Sequence, residues 1–124
     1  MEGGTSVYQV VIYSDTNGHE PVTEYMRELA QSNSKDSRIR LNKIGQYIKV
    51  LQEYGTRAGE PYMKHIDGNL WELRPISDRI FFGVCVNGVF VLLHGFPKKS
   101  QKTPEREKQK ARNELEDYLK RVKG

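Results

Sequence analysis

The period of the apolar positions changes along the chain, and each change marks an element. Val7 to Tyr13 is rich in β-branched and aromatic residues and predicts a strand. Gly18 and Pro21 break it. Val22, Tyr25, Met26 and Leu29 then recur at helical spacing, with Pro21 suited to the first turn, where a missing N–H costs nothing. A second helix starts near Ser34 to Ser37. It places Leu41, Ile44, Ile48 and Leu51 on one face, with Ile39 and Tyr47 beside it, and Gly55 is the expected stop. The two helices form a hairpin over one side of a sheet. From Tyr62 to Phe96 the pattern is strands and tight turns, punctuated by Gly68-Asn69, Ser77-Asp78 and Asn87-Gly88. A last helix opens at Thr103-Pro104, read as N-cap and first-turn proline. Glu105 and Glu107 sit near its positive end, and Lys120, Arg121 and Lys123 near its negative end. Its apolar stripe (Ala111, Leu115, Tyr118, Leu119, Val122) is narrow, enough for one seam against the body or a partner. The order β-α-α-β-β-β-β-α predicts one α+β domain over residues 1–124, with a mainly antiparallel twisted sheet.

The turns set which side chains share a face. A two-residue Asn87-Gly88 loop of type I′ pairs Val84 with Val91, Phe82 with Leu93 and Phe81 with His94. A two-residue Ser77-Asp78 loop pairs Ile76 with Arg79, Arg74 with Phe81, Leu73 with Phe82 and Trp71 with Val84. One face then carries Trp71, Leu73, Ile80, Phe82, Val84, Val91 and Leu93, apolar and directed at the helical hairpin. The other carries Glu72, Arg74, Arg79, Phe81, His94 and Phe96, with Arg74, Phe81 and His94 in one row. Gly68-Asn69 leaves two options. A two-residue turn puts His65 opposite Glu72, and a three-residue turn from Asp67 puts Lys64 there.

Composition narrows the class. Apolar residues are 36% of the chain, enough for one core. The mean hydropathy of -0.73 and strand-length apolar runs such as Val89 to Leu93 argue against a membrane span. Met1 to Ser6 lacks the basic start and apolar stretch of a secretory signal, and the single Cys85 cannot close an internal disulfide. Both favour the cytoplasm. The net charge is +4, unevenly distributed: Lys98 to Gly124 holds 10 Lys/Arg against 5 Asp/Glu, while the preceding residues carry a net of -1. A basic C-terminal third suits a polyanion such as nucleic acid, although a solvated helix face has the same signature.

The polar face has the parts that RNA scission needs: a general base, fixed cations and a general acid. Histidine is the side chain that ordinarily titrates near neutrality, so His94 is the first candidate to move a proton. Arg74 offers a planar fork matched to phosphate oxygens. Lys98 and Lys99, just after the last strand, can bind phosphate or carry a proton, and Phe81 and Phe96 can stack on splayed bases. Each has a plainer role: a structural histidine, a strand arginine paired with Glu72, a core Phe96, a solvated Lys98-Lys99 loop. Convergence on one face is what favours chemistry. No phosphate-binding glycine loop, dinucleotide fingerprint or zinc spacing is present, Ser100 lacks a nucleophile's setting, and Cys85 reads as inert. No cofactor is expected.

The succession Leu70-Trp71-Glu72-Leu73-Arg74-Pro75, Arg79-Ile80-Phe81-Phe82 and Leu92-Leu93-His94-Gly95-Phe96-Pro97-Lys98-Lys99-Ser100-Gln101-Lys102-Thr103-Pro104 resembles the RelE superfamily, nearest its HigB-like and phage-derived branch. The resemblance extends over nearly the whole chain. It implies a toxin of a type II toxin–antitoxin pair that cleaves mRNA without metal, usually in the ribosomal A site. It places the family's catalytic arginine on Arg74 and its basic or histidine residues on His94, Lys98 and Lys99. His65 joins the catalytic set. Lys64, Arg79, Phe96 and Lys102 are the expected RNA contacts. The implied partner is a HigA-like antitoxin with a helix-turn-helix domain, whose complex with the toxin represses their operon at operator DNA. Two other readings use the same fold: a ParE-type inhibitor of DNA gyrase, and a catalytically silent RNA- or protein-binding module.

Overall fold

Short-range signals set the helical hairpin. In a computed structural model, which describes residues 7–123, the first helix (α1, Pro21–Gln31) begins at the expected proline. The second (α2, Lys35–Tyr54) begins where the Ser34 hydroxyl accepts the Ser37 N–H at 3.0 Å. It stops at Gly55, whose φ of 63° a side chain would resist, and a Cβ there would lie 2.8 Å from the Tyr8 ring. The first strand (β1, Val10–Ile12) is shorter than expected, because the Val7 and Tyr8 amides both donate to the Gln52 carbonyl at the end of α2. The expectation about Met1 to Ser6 lies outside the described residues. None of the described helices is long and apolar enough to cross a membrane.

The remaining strands are β2 (Met63–Asp67), β3 (Leu70–Leu73), β4 (Asp78–Val84) and β5 (Phe90–Pro97), followed by the helix α3 (Glu105–Lys123). The sheet order is β1-β5-β4-β3-β2. β1 runs parallel to β5 and the other neighbours are antiparallel. The architecture is therefore α+β, a five-stranded mixed sheet with three helices.

Both sheet faces are covered, and this corrects the expected register. Leu73, Ile80, Phe82, Phe90 and Leu92 pack with Val22, Ile44 and Leu51 of the helical hairpin. Phe81, Val91, Leu93 and Leu70 pack with Ala111 and Leu115 of α3. Val91 and Leu93 thus lie on the face opposite the one predicted. The Val86-Asn87-Gly88 tip has three residues rather than two, closed by Cys85 N–H to Val89 O at 2.8 Å, with only Gly88 of that tip at positive φ. The extra residue pairs Val84 with Phe90 instead of Val91. A bulge then restores the frame. Phe82 pairs with Leu92 but Ile80 with Gly95, so Leu93 and His94 together span the position of Phe81. The Ser77-Asp78 turn is also longer than assumed. Leu73 pairs with Ile80, a shift of two that keeps faces intact but sets Glu72, not Arg74, opposite Phe81.

α3 is held on its face by one seam and a few polar ties. Ala111 is fully buried, Leu115 is nearly so, and Val122 is exposed. At its far end Asp117 accepts from the Tyr13 hydroxyl at 2.6 Å and from Arg121 at 2.8 Å. Burial and that carboxylate push the Tyr13 phenol up to about 12. Gly83 makes room for the seam, since a Cβ there would lie 2.4 Å from Leu115 Cδ1. Gly83→Ala is therefore expected to lower stability by about 1–3 kcal/mol through overpacking. Hydrogen exchange should locate the loss in α3 while the α1–α2 hairpin keeps its protection.

Candidate functional site

The end of the sheet where β3 stops, β4 starts and β5 leads into the 98–104 loop is organised by one buried carboxylate. Glu72 is fully buried. Its Oε1 accepts from Arg74 Nε at 3.1 Å and its Oε2 from the Thr103 hydroxyl at 2.7 Å. A buried charge is tolerated only when paired and hydrogen-bonded, so these two contacts are what allow Glu72 to be there. They fix the Arg74 guanidinium and the end of the basic loop together. Thr103 is consequently not the N-cap of α3 that the sequence suggested. Its hydroxyl serves Glu72, and the Pro104 carbonyl accepts the first helical amides, from Glu107 and Lys108. The loop's start is tied by Lys98 N–H to Ser77 O at 2.9 Å.

Arg79 lies next to Arg74. It is buried, and Nη1 donates to the carbonyls of Asp78 at 2.8 Å and Ile76 at 3.2 Å. Burial first, and then the charge of Arg74, pull its pKa below the usual guanidinium value.

His94 shares the sheet face with Glu72 and Arg74, as predicted, but it is not open to a substrate. It is only 3% exposed. Its Nδ1 lies 2.6 Å from Glu114 Oε1 and its Nε2 2.8 Å from Glu107 Oε1, both on α3. The alternating pattern gave no sign of this cover. Both ring nitrogens of this expected proton carrier are thus engaged by carboxylates of α3. Of Lys64 and His65, it is Lys64 that faces Glu72. The bulge between His65 and Asp67 puts Lys64 opposite Glu72 and His65 opposite Trp71. The His65 ring rests 5.1 Å from the Trp71 ring, with Nε2 2.8 Å from Gly68 O.

Two recesses flank the 98–104 loop. The larger, about 390 Å³, is bordered by Lys64, Arg74, Gln101, Lys102, Thr103 and Lys108, with His65 and Ile66 at its edge. The smaller, about 100 Å³, is bordered by Arg79, Phe96, Lys98, Lys99, Lys102, Arg106 and Glu107. Lys102 and Thr103 border both. Among the described residues Lys64, Lys98, Lys99, Lys102, Arg106 and Lys108 have no ion-pair partner, whereas Arg112, Lys120 and Arg121 further along α3 are paired with carboxylates. Phe96 stacks on Phe81 at 5.6 Å and is half-buried.

The structure thus gathers Arg74, Lys64, Lys98, Lys99 and Lys102 around one loop, with Arg79 and Phe96 behind it. Sequence reasoning missed Lys108 and Arg106, both in the first turn of α3, and the organising roles of Glu72, Thr103 and Glu107. The Glu72-x-Arg74 spacing, read from the sequence as a plain strand ion pair, was the one available signal for the role of Glu72. Among the described residues no three His, Cys, Asp or Glu side chains converge as a metal-binding group. Burial pushes the Cys85 thiol up, away from nucleophilic use.

Compared with known families, residues 24–116 match the family model described as Phage derived protein Gp49-like (DUF891). No curated protein matches the chain.

Proposed function

Starting from the fact that the chain belongs to the phage-derived Gp49-like family, we propose that it is the toxin of a toxin–antitoxin pair and acts as an endoribonuclease. The observation that carries this reading is the pair of cationic recesses meeting at Lys102, with Arg74 clamped beside them by buried Glu72. Cations on both sides of one loop match a polynucleotide strand laid across it, each phosphate meeting a lysine or arginine. A guanidinium held from behind by a carboxylate is preorganised to bind the charge that builds on a phosphorane. The chemistry is attack of a ribose 2′-oxygen on the adjacent phosphorus and departure of the 5′-oxygen.

The finer assignments rest on the resemblance in the sequence. They are the HigB-like branch, metal-independent cleavage, mRNA in the ribosome as substrate, and a HigA-like helix-turn-helix antitoxin whose complex with the toxin binds operator DNA. A gyrase-blocking toxin has no evident use for a phosphate-sized cluster around a clamped arginine, so the nuclease is preferred.

The test is direct. The purified chain is incubated with defined RNA, alone and on translating ribosomes, and the new ends are mapped. New ends bearing 2′,3′-cyclic phosphate are expected. Intact RNA in both settings, with gyrase supercoiling inhibited, would replace the reading with the alternative. Binding to single-stranded RNA should weaken with salt. Each alanine at Lys64, Lys98, Lys99 or Lys102 should reduce the slope of log K against log[salt] by about 0.7.

A further inference from the structure

We infer that Glu107 is the proton acceptor for the 2′-hydroxyl, with His94 and Glu114 as its buried support. The inference rests on the ribonuclease reading and adds the group that reading lacks.

A general base needs a free lone pair, and the cations around the loop have none while charged. Glu107 is the one carboxylate among the described residues that border either recess. It stands in the first turn of α3, 21% exposed, at the wall of the smaller recess. Its Oε1 is held 2.8 Å from His94 Nε2. Among the described residues its Oε2 has no partner. His94 is held in turn, through Nδ1, by Glu114 at 2.6 Å. Both ring nitrogens thus lie against carboxylate oxygens, which hold the imidazole in one orientation between Glu107 and Glu114.

This gives the residues different duties. His94, at 3% exposed, meets no substrate and is a positioning residue. It fixes the rotamer of Glu107 through the 2.8 Å contact. The groups that face Glu107 are otherwise cationic: Arg79 from β4, Lys98, Lys99 and Lys102 from the loop, and Arg106 from its own helix. They draw the phosphate in beside the carboxylate. In the step, the 2′-O–H bond breaks and its proton passes to Glu107. The 2′-oxygen bonds to phosphorus and the P–O5′ bond breaks. The departing oxygen takes a proton from the ammonium of Lys98 or Lys99, leaving a 2′,3′-cyclic phosphate and a 5′-hydroxyl. His65 also borders the larger recess, but its Nε2 is engaged by the Gly68 carbonyl.

The experiment measures single-turnover cleavage of a short RNA across pH for the wild type and for Arg74→Ala, Glu107→Gln, Glu107→Asp, His94→Gln and His65→Gln. Glu107→Gln should lower the maximal rate by about 10²- to 10⁴-fold. It should leave RNA affinity within a few-fold and remove the acidic limb of the pH–rate profile. Glu107→Asp should recover part of the rate and keep that limb. His94→Gln should lose less rate than Glu107→Gln and shift the limb. A wild type that fails to cleave counts against the ribonuclease reading itself. If the wild type cleaves and Arg74→Ala does not, a Glu107→Gln variant with an unchanged rate and profile overturns the present inference, as does transfer of the acidic limb's loss to His65→Gln. Should Glu107→Gln melt below assay temperature, the Glu107→Asp profile decides: a displaced acidic limb supports the assignment and an unmoved one refutes it.

Discussion

Arg74→Ala is expected to cut RNA cleavage by about 10²- to 10³-fold, the usual cost of removing one preorganised donor to a developing oxyanion. The same change strips Glu72 of its guanidinium and leaves a fully buried carboxylate on the Thr103 hydroxyl alone. Stability should therefore fall as well, by about 1–3 kcal/mol. The two effects can be separated. Glu72→Gln with Arg74→Ala removes the stranded charge and should recover much of the melting temperature without recovering cleavage. Arg74→Lys keeps a positive charge but loses the planar fork and the Nε contact, so it should rank between wild type and alanine. Full cleavage by a folded Arg74→Ala protein would remove Arg74 from the chemistry.

The largest stability effect is expected at Asp78. This fully buried carboxylate accepts from Arg40 Nη2 at 2.7 Å and Arg40 Nε at 3.1 Å, and from the Tyr25 hydroxyl. One side chain at the start of β4 thus ties α1 and α2 to the sheet. Burial and the neighbouring carboxylate push the Tyr25 phenol far above its ordinary range, and the Asp78 carboxylate raises that of the Arg40 guanidinium. Asp78→Ala leaves Arg40 and Tyr25 without their acceptor and should cost about 3–5 kcal/mol. Urea denaturation should show a lower midpoint at unchanged slope. Tyr25→Phe removes one neutral donor and should cost only about 1 kcal/mol. Equal losses from both changes would mean that the cluster is not organised by Asp78.

Local signals carried most of the architecture. Pro21, Ser34 and Gly55 each act through their own backbone or the next turn, so the helical hairpin was readable. Fold class followed from element order, whereas the parallel pairing of β1 with β5 at the sheet edge carried no local signal. The register was not fully readable, for two physical reasons. The turn rule assumed two-residue loops, whereas a three-residue tip and a bulge displace β5 by one residue and then return it. Because the two displacements cancel, His94 reached its predicted face while Val91 and Leu93 did not. Alternation could not flag the slip, since β5 is apolar on both sides and both are buried. Lys98, Lys99 and Lys102 stood out because they crowd one short stretch after β5, whereas Arg106 and Lys108 read as ordinary charges of the last helix. The acids of the site did not stand out either, because Glu107 and Glu114 read as ordinary solvated helix charges until α3 is seen lying across His94.

The bulge at Leu93-His94 has a consequence for how this chain can be modified. It divides the β4–β5 ribbon into a site-proximal block, Asp78 to Ile80 with Gly95 to Pro97, and a distal block ending at the wholly exposed Val86. Residues added at the Val86-Asn87-Gly88 tip lengthen the distal block outward and leave the pairing beneath it in place. That tip is the natural position for grafting a fluorophore, an epitope or a docking peptide. It is also where length variation between homologues can accumulate while the proximal block keeps its register.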